Sequence, residues 1–323
     1  MQGLRVIVTA GPNGSGKTSV VQAMIEEDAQ SGRPIIMPEL VINPDAIRKL
    51  PEIADVARAE HKRLDEAAQQ VAYRHREAAM RRGESFAFET VMSHPSKLAE
   101  LAQLRAHGYY VQLLFVSTNS PDINVRRVAY RVKTGTTTGH DVPEDKTRSR
   151  YDRTTALLPA AVELADQAFL YDNSYDGRGY TRQAVIEQAI DQPNDSPERF
   201  SIEGLTTMES WAQQALEALA LRQKERLRLA RHAQTHGLAL ARADFICGNY
   251  IGTPLDLQLI HFFGTIVDLH GRPTLIIHDR LNFMPHQYPD INAVLRTNQD
   301  MTLTYSPQDE PVLSPSPSQP KHA

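Results

Sequence analysis

The sequence has little cysteine, no long apolar run and almost no excess of charge of either sign. Its 323 residues include one cysteine, Cys247, which excludes an internal disulfide and a cysteine-rich zinc site. No apolar run approaches the roughly 18 residues that cross a bilayer, and the apolar stretch near the N-terminus is too short for a secretory signal. A net charge of −4 argues against wholesale electrostatic binding to nucleic acid or anionic membrane. We therefore expect a soluble cytoplasmic protein with no membrane partner.

The composition and the order of apolar runs predict an α/β fold in the first half of the chain. Apolar residues make up 41% and charged residues 23%, which excludes a collagen-like, mucin-like or wholly disordered chain. Short β-rich runs alternate with longer helical patterns, as in a parallel sheet covered by helices. The predicted strands are 4–9, 35–42, 86–91, 109–117 and 168–172, and the predicted helices are 15–27, 55–82, 93–107, 122–134 and 145–165.

The second half of the chain has a different pattern. The alternation stops near residue 192, so we predict a first domain over 1–195, a linker and helix over 196–240, a small β-rich module over 241–305 and a disordered tail over 306–323. Thr206 and Glu209 have the spacing of a capping box for the helix. For the basic stretch 222–232 we favour a solvated or internally paired face over the binding of acidic partners.

The motif GPNGSGKT at residues 11–18 fits G-x-x-x-x-G-K-[ST] completely and lies between a predicted strand and a predicted helix. Its glycines allow successive backbone amides to point at phosphate oxygens, and the helix start adds partial positive charge. Lys17 is suited to the β- and γ-phosphates and the Thr18 hydroxyl to Mg²⁺. The motif predicts a kinase-type P-loop sheet whose ATP or GTP site comprises Gly11, Pro12, Asn13, Gly14, Ser15, Gly16, Lys17 and Thr18.

Two carboxylates follow predicted strands, at the sheet edge where open α/β folds bind ligands. Asp45 follows the second strand and has two interpretations, catalysis or the N-cap of a short helix over 46–49. Glu89 ends the third strand, where a carboxylate is costly unless it is exposed or paired. Its carboxylate is suited either to a hydrogen bond with substrate or to the support of Mg²⁺. The hydroxyl of Thr90 beside it is a further candidate contact.

Six arginines follow in two groups. Arginine is always ionised and binds oxygens bidentately, which suits it to stabilise a phosphoryl group in transfer. Arg127 and Arg131 lie four residues apart, on one helical face. We expect one or two of the six to act in catalysis and the others to be solvated or paired with acids, and we expect His140 to be a structural loop residue. The six are Arg126, Arg127, Arg131, Arg148, Arg150 and Arg153.

With these motifs in view, residues 1 to roughly 180 resemble the zeta-toxin family of kinases. The matching stretches are AGPNGSGKT, INPDAI, FAFETVMS, GYYVQLLFVST, RVAYRV, GHDVP, SRYDR and FLYDNS. The resemblance implies a kinase that uses ATP or GTP to phosphorylate a hydroxyl of the nucleotide sugar UDP-N-acetylglucosamine. It also implies that the chain is the toxin of a toxin–antitoxin pair, with an antitoxin protein as its partner.

The resemblance also implies roles for single residues. Lys17 matches the phosphate-loop lysine, and Asp45 matches the carboxylate that takes the proton of the substrate hydroxyl. Glu89 and Thr90 match the acid on the substrate side and its neighbour. Arg127 and one of two further arginines match those that stabilise the transferred group; the candidates are Arg148 and Arg150. Their choice stays open because the stretch GTTTGH is longer here than in many relatives.

The C-terminal module is similar to the small KfrB domain of plasmid-encoded proteins, through GRPTLIIHDR and the final TLTY. Two other functions stay open at this point. One is a P-loop kinase of another small hydroxylated molecule, such as an antibiotic. The other is a nucleotide-gated binding protein whose C-terminal module contacts a plasmid partner or DNA. We expect no nucleic acid partner for the kinase region.

Overall fold

The computed structural model describes residues 3–31, 37–134, 142–189, 200–297, 299–306 and 309–315, without the side chains of 27–31. The chain divides into two compact units. The first comprises Met1–Ser93, Gln103–Gln188 and Ser201–Ala215, and the second comprises His94–Ala102, Ala189–Phe200 and Leu216–Ala323. No helix within the described ranges is both long and apolar enough to cross a membrane.

A seven-stranded, mostly parallel sheet forms the centre of the first unit. Its strands are β1 (Arg5–Ala10), β2 (Leu40–Ile42), β3 (Phe86–Thr90), β4 (Tyr110–Ser117), β5 (Gln167–Asp172), β6 (Thr181–Gln188) and β7 (Phe200–Gly204). They lie in the order β2-β3-β1-β4-β5-β6-β7, and the pairs from β2 to β5 are parallel whereas β5 and β6 are antiparallel. This mostly parallel α/β sheet confirms the predicted fold class.

Within the described ranges, seven helices accompany these strands. They are α1 (Lys17–Ser31), α2 (Pro44–Ile47), α3 (Pro51–Ala59), α4 (Leu64–Arg82), α5 (Ser96–Ala106), α6 (Pro121–Thr134) and α7 (Glu144–Leu164). The prediction of one helix over 55–82 is wrong, because the chain leaves the helix after α3 and His61 adopts a positive φ of 51°. Strands β6 and β7 were not predicted from the sequence.

The central strands β1 and β4 position the site. Their side chains are almost all buried, as expected for strands covered by helices on both faces. Parallel strands bring their carboxyl ends to the same sheet edge, and the register pairs Thr9 of β1 with Glu89 of β3. The loop that follows β1 therefore lies beside the polar residues that end β3.

The long helix α8 (Ser210–Thr235) is followed by a second, mostly antiparallel sheet, as predicted. The strands of this six-stranded sheet are β8 (Ala239–Arg242), β9 (Asn249–Leu255), β10 (Phe262–Leu269), β11 (Arg272–Asp279), β12 (Met301–Thr304) and β13 (Val312–Pro315). Their order is β13-β12-β9-β10-β11-β8, with β8 and β11 parallel. Helix α9 (Tyr288–Thr297) and short 3₁₀ turns at Arg280–Asn282 and Pro285–Gln287 complete the described elements.

Two local features of this half differ from the sequence expectation. Helix α8 begins at Ser210, after Glu209, so the predicted capping box of Thr206 and Glu209 is wrong. The segment expected to be a disordered tail contains β13, which pairs with β12 and packs Leu313 against the core of the second unit. Residues 307–308 and 316–323 of that segment lie outside the described residues.

The basic stretch of α8 is paired within the second unit, in line with the favoured interpretation. Arg222 is 1% exposed and forms a salt bridge with Asp279. The buried carboxylate of Glu225 accepts hydrogen bonds from the backbone amides of Ile260 and His261 at 2.8 and 2.9 Å. These contacts account for charged residues on the buried side of the helix.

Candidate nucleotide-binding and catalytic site

The loop between β1 and α1 has a conformation that only glycine tolerates. Gly11 and Gly14 have φ values of 149° and 81°, in the region that side chains disfavour. A Cβ atom would lie 2.0 Å from the carbonyl oxygen of Val116 at the first position and 2.5 Å from that of Asn124 at the second. Both glycines are therefore required by backbone angle and by space, and the loop lies tightly against β4 and α6.

The polar groups of this loop fit a bound phosphate group. The Ser15 hydroxyl oxygen is buried, and no described atom hydrogen-bonds to it. Buried polar groups are normally paired, so this one indicates that a ligand completes the loop. Helix α1 begins at Lys17 and directs its unpaired amides and the positive end of its dipole at the loop. The loop fits the phosphate chain of ATP or GTP.

Lys17 is a buried cation at the start of α1. It is 7% exposed, and its Nζ donates to the carbonyl oxygen of Pro12 at 3.2 Å and lies 3.6 Å from Oε1 of Glu89. Burial lowers the pKa of Lys17, and Arg131 adds to this effect, while the carboxylates of Glu89 and Asp45 act in the opposite direction. The ammonium group is thus only partly compensated by the protein, which suits it to bind an anion.

Thr18 and Glu89 together provide oxygen ligands. The Thr18 hydroxyl donates to Oε2 of Glu89 at 2.9 Å. Mg²⁺ prefers oxygen ligands and is usually held by one or two protein groups together with phosphates and water. These two residues fit that role, and among the described residues no group of three or more His, Cys, Asp or Glu could hold a metal ion. The Thr90 hydroxyl accepts a hydrogen bond from the amide of Met92 at 3.1 Å and so supports the turn after β3.

Asp45 lies in the first turn of α2 rather than at its cap. Asn43 is the N-cap, because its Oδ1 accepts a hydrogen bond from the Asp45 amide at 2.8 Å. Pro44 takes the first helical position, which proline favours. The N-cap interpretation of Asp45 is therefore wrong. Its half-buried carboxylate raises the pKa of both Lys17 and Arg131, which brings it electrostatically into the site.

Arg127 on α6 contacts the segment that follows β5. Its Nη1 donates to the carbonyl oxygen of Asn173 at 2.7 Å, and its Nε donates to Asp176 at 3.1 Å. Asn173 in turn donates from Nδ2 to the carbonyl oxygen of Ser15 at 2.8 Å. One residue therefore joins Arg127 to the phosphate-binding loop.

Arg131, one of the six candidate arginines, belongs to the same cluster, although the family resemblance assigns it no role. Burial lowers the pKa of Arg131, whereas the carboxylates of Asp45 and Glu89 raise it. Its Nε donates to the backbone oxygen of Arg127 one turn earlier. The four-residue spacing from Arg127 was the available signal, since such residues share a helical face.

The two candidates for the second arginine lie two residues apart on α7 and have different surroundings. Arg148 has a side chain that is 41% exposed, and it pairs with Asp122 at 2.6 Å and with Glu144 at 2.8 Å. Arg150 is half-buried, and its Nη1 donates to Oδ1 of Asn13 in the phosphate-binding loop at 3.2 Å. The fold brings Arg150 to the loop and leaves Arg148 in surface ion pairs. His140 lies outside the described residues.

Comparison with known proteins gives one family match and several distant relatives. The Zeta toxin family model matches residues 5–173. A curated protein of Haemophilus influenzae, described as uncharacterized, is 27% identical over 154 residues, which are 46% of this chain and 92% of the relative.

Among solved structures, the AvrRxo1-ORF1:-ORF2 complex with ATP has a TM-score of 0.43 and 14% identity. The match covers 68% of this chain and 64% of that one. The PezAT chromosomal toxin–antitoxin system of Streptococcus pneumoniae has a TM-score of 0.40 and 15% identity, and the match covers 73% of this chain and 88% of that one.

Proposed function

The chain belongs to the zeta toxin family of P-loop kinases, and from this premise we propose that it transfers a phosphate from ATP or GTP to a hydroxyl of UDP-N-acetylglucosamine. The observation that supports the proposal is a single cluster of charge. Lys17 lies 3.6 Å from the carboxylate of Glu89 and is also acted on by the carboxylate of Asp45, beside a loop whose buried Ser15 hydroxyl has no hydrogen-bond partner among the described residues. A triphosphate and an acceptor alcohol require these groups together: a cation for the phosphates and a carboxylate for the alcohol proton.

The residues of the loop and of α1 bind the phosphate donor in this proposal. The amides of 11–18 and the Lys17 ammonium hold the β- and γ-phosphates. Thr18, whose hydroxyl donates to Glu89, would hold Mg²⁺, which supplies positive charge to the phosphate oxygens when bound. Burial of Lys17 strengthens its attraction for the phosphates, because fewer water molecules screen it.

Asp45 acts as the general base. It orients the acceptor hydroxyl and takes its proton as the hydroxyl oxygen bonds to the γ-phosphorus and the bond to the β-phosphate oxygen breaks. Glu89 and Thr90 position the acceptor, as the family resemblance implies. The negative charge that spreads over the transferred group is stabilised by Arg127 and Arg150.

Arg131 is a third cation for this charge. It lies on the same face of α6 as Arg127. We therefore include Arg131 with the phosphoryl-stabilising arginines and leave Arg148 out, because the ion pairs of Arg148 are with the exposed residues Asp122 and Glu144.

We further propose that the kinase acts in the cytoplasm as the toxin of a toxin–antitoxin pair, with an antitoxin protein as its partner. Expression in a bacterial host tests this part. The wild-type chain is expected to arrest growth and Lys17→Ala to allow it. Normal growth with abundant wild-type protein would contradict the toxin role and leave the reaction itself to be tested separately.

The reaction is tested by incubating the full chain with Mg-ATP and UDP-N-acetylglucosamine and measuring product masses. We expect one added phosphate on the sugar nucleotide. A mass gain only on another hydroxylated compound in a parallel panel of sugar nucleotides and antibiotics would overturn the substrate. ATP binding without a mass gain on any compound would overturn the proposed kinase activity and favour a nucleotide-gated binding protein.

A further inference from the structure

Three consecutive residues at the end of β5 connect two parts of the first unit. Side chains of an extended segment alternate in direction. Asp172 accepts hydrogen bonds from Ser174 and from Trp211 at the start of α8, whereas Asn173 contacts the phosphate-binding loop. A shift of this short segment would therefore change contacts both at the phosphate-binding loop and at the start of α8.

Asn173 makes three hydrogen bonds, one each to β4, to the phosphate-binding loop and to α6. Its amide donates to the carbonyl oxygen of Ser117 at 2.9 Å, its Nδ2 donates to the carbonyl oxygen of Ser15 at 2.8 Å, and its own carbonyl oxygen accepts from Arg127 at 2.7 Å. The side chain also packs closely on the loop, since a Cβ atom on Gly16 would lie 2.3 Å from its Nδ2. Asn173 thus fixes the loop and Arg127 relative to β4.

The carboxylate of Asp172 is held by groups outside the phosphate-binding loop. It is 3% exposed, and its carboxylate accepts hydrogen bonds from the Ser174 amide at 2.9 Å, the Ser174 hydroxyl at 2.7 Å and the Trp211 indole N–H at 3.0 Å. Trp211, 6% exposed, packs its ring on Phe115 of β4 with a centroid distance of 5.8 Å. A buried carboxylate that loses a donor is costly, so loss of the indole N–H is expected to shift the segment.

The geometry points to Trp211 and Asp172 as a positioning pair that holds Asn173 against the phosphate-binding loop. Nucleotide binding at residues 11–18 then depends on the start of α8, beyond the family match that ends at residue 173. This inference rests on the proposed function only in that the loop binds a nucleotide, and it is independent of the acceptor.

The chain contains a single tryptophan, so its intrinsic fluorescence reports on Trp211 alone. Titration of the full chain with Mg-ATP is expected to change this emission with saturation, at the affinity that calorimetry measures in parallel. In Asn173→Ala we expect ATP to bind about tenfold more weakly, as expected for the loss of one buried hydrogen bond, with little of the emission change left.

Trp211→Phe keeps an aromatic ring near Phe115 and removes the N–H donor. We expect ATP to bind about threefold more weakly in this variant, with the thermal unfolding curve still cooperative. Tyr175→Phe is the matched control. It removes a 3.2 Å hydrogen bond from an exposed hydroxyl to Glu209, next to α8, and does not touch Asp172, so wild-type affinity is expected.

The outcomes separate this inference from the proposed function. Wild-type ATP affinity in either Asn173→Ala or Trp211→Phe would overturn the inference even if the chain is an active kinase. Weakened ATP binding in these variants, together with no phosphate transfer by the wild type, would support the inference and overturn the kinase. If Trp211→Phe does not fold, calorimetry on Asn173→Ala decides. A wild-type chain that binds no ATP would overturn both.

Discussion

The two units of this chain differ in how closely a carboxylate approaches a buried cation. In the first, Lys17 is buried near Glu89, and the Ser15 hydroxyl beside it has no partner among the described atoms. In the second, the buried guanidinium of Arg222 meets the carboxylate of Asp279 directly. A buried charge thus indicates a functional site where its compensation is incomplete and a shaped loop lies beside it, and a structural role where a carboxylate closes the pair.

The substitution with the largest expected effect on this comparison is Lys17→Met, which removes the ammonium and keeps the length of the side chain. We expect phosphate transfer to fall by at least about 1000-fold, because the donor phosphates lose a buried cation. The free energy of unfolding is expected not to fall, since burial disfavours the charged form that is lost. Coupled measurements of product mass and urea unfolding check both. A variant with more than a tenth of wild-type activity would contradict the role of Lys17.

Breaking the ion pair of Arg222 and Asp279 in the second unit is expected to lower stability and to leave nucleotide binding unchanged. Asp279→Asn can keep the hydrogen bond from the Leu281 amide but loses the negative charge that lies against the buried guanidinium of Arg222. We expect a loss of about 3 kcal/mol in the free energy of unfolding, with ATP affinity unchanged.

The matched control for that loss is Asp55→Asn. Its partner Arg58 is 79% exposed, and such surface pairs contribute roughly 0.5 kcal/mol or less. Equal losses in the two variants, measured by urea unfolding, would show that burial of Arg222 does not matter.

Two arginines on α7 allow a residue at the phosphate-binding loop to be compared with a surface residue of the same helix. Arg150→Ala removes a contact to Asn13 of the loop, and we expect phosphate transfer to fall about 30-fold, roughly 2 kcal/mol of transition-state stabilisation. Arg148→Ala removes only surface ion pairs and is expected to stay within about twofold of the wild type. A larger loss in Arg148→Ala than in Arg150→Ala, measured at saturating ATP, would reverse this assignment.

The smallest expected effect is a pH dependence in the second unit. His278 is fully buried against Phe263 and Tyr305, and burial lowers its pKa to about 3 from an ordinary 6.5. Below pH 6.5 the unfolded chain takes up a proton that the folded chain refuses until about pH 3, so stability falls with pH across that window.

From pH 7 to pH 5.5 this histidine is expected to cost about 1 kcal/mol of unfolding free energy. Urea unfolding at both pH values measures how much the unfolding free energy changes with pH in the wild type and in His278→Gln. The same change in the two proteins would contradict a buried neutral imidazole.

The phosphate-binding loop could be predicted from sequence because its residues carry their own conformational demands. Gly11 and Gly14 are required by positive φ and by backbone contact, and a short motif records both. The role of Asp45 could not be separated from capping in the same way. Which residue caps α2 depends on where the helix begins, and with Pro44 at its first position the helix starts two residues earlier than expected.

Features that depend on distant contacts could not be predicted. Arg148 and Arg150 have the same chemistry and neighbouring positions, and only the packing of α7 against the loop distinguishes them. The hydrogen bond from Trp211 to Asp172 joins residues far apart in sequence, so no local pattern records it. The break between α3 and α4 at His61 was likewise hidden in a stretch with good helical composition.

A general base at Asp45 is what distinguishes a kinase from a protein that only binds nucleotide. Asp45→Asn removes the proton acceptor and preserves the shape of the side chain. In single-turnover reactions with Mg-ATP and UDP-N-acetylglucosamine, we expect this variant to bind ATP like the wild type and to form the phosphorylated sugar nucleotide at least about 100-fold more slowly. Formation of that product at the wild-type rate would contradict the proposed reaction at Asp45.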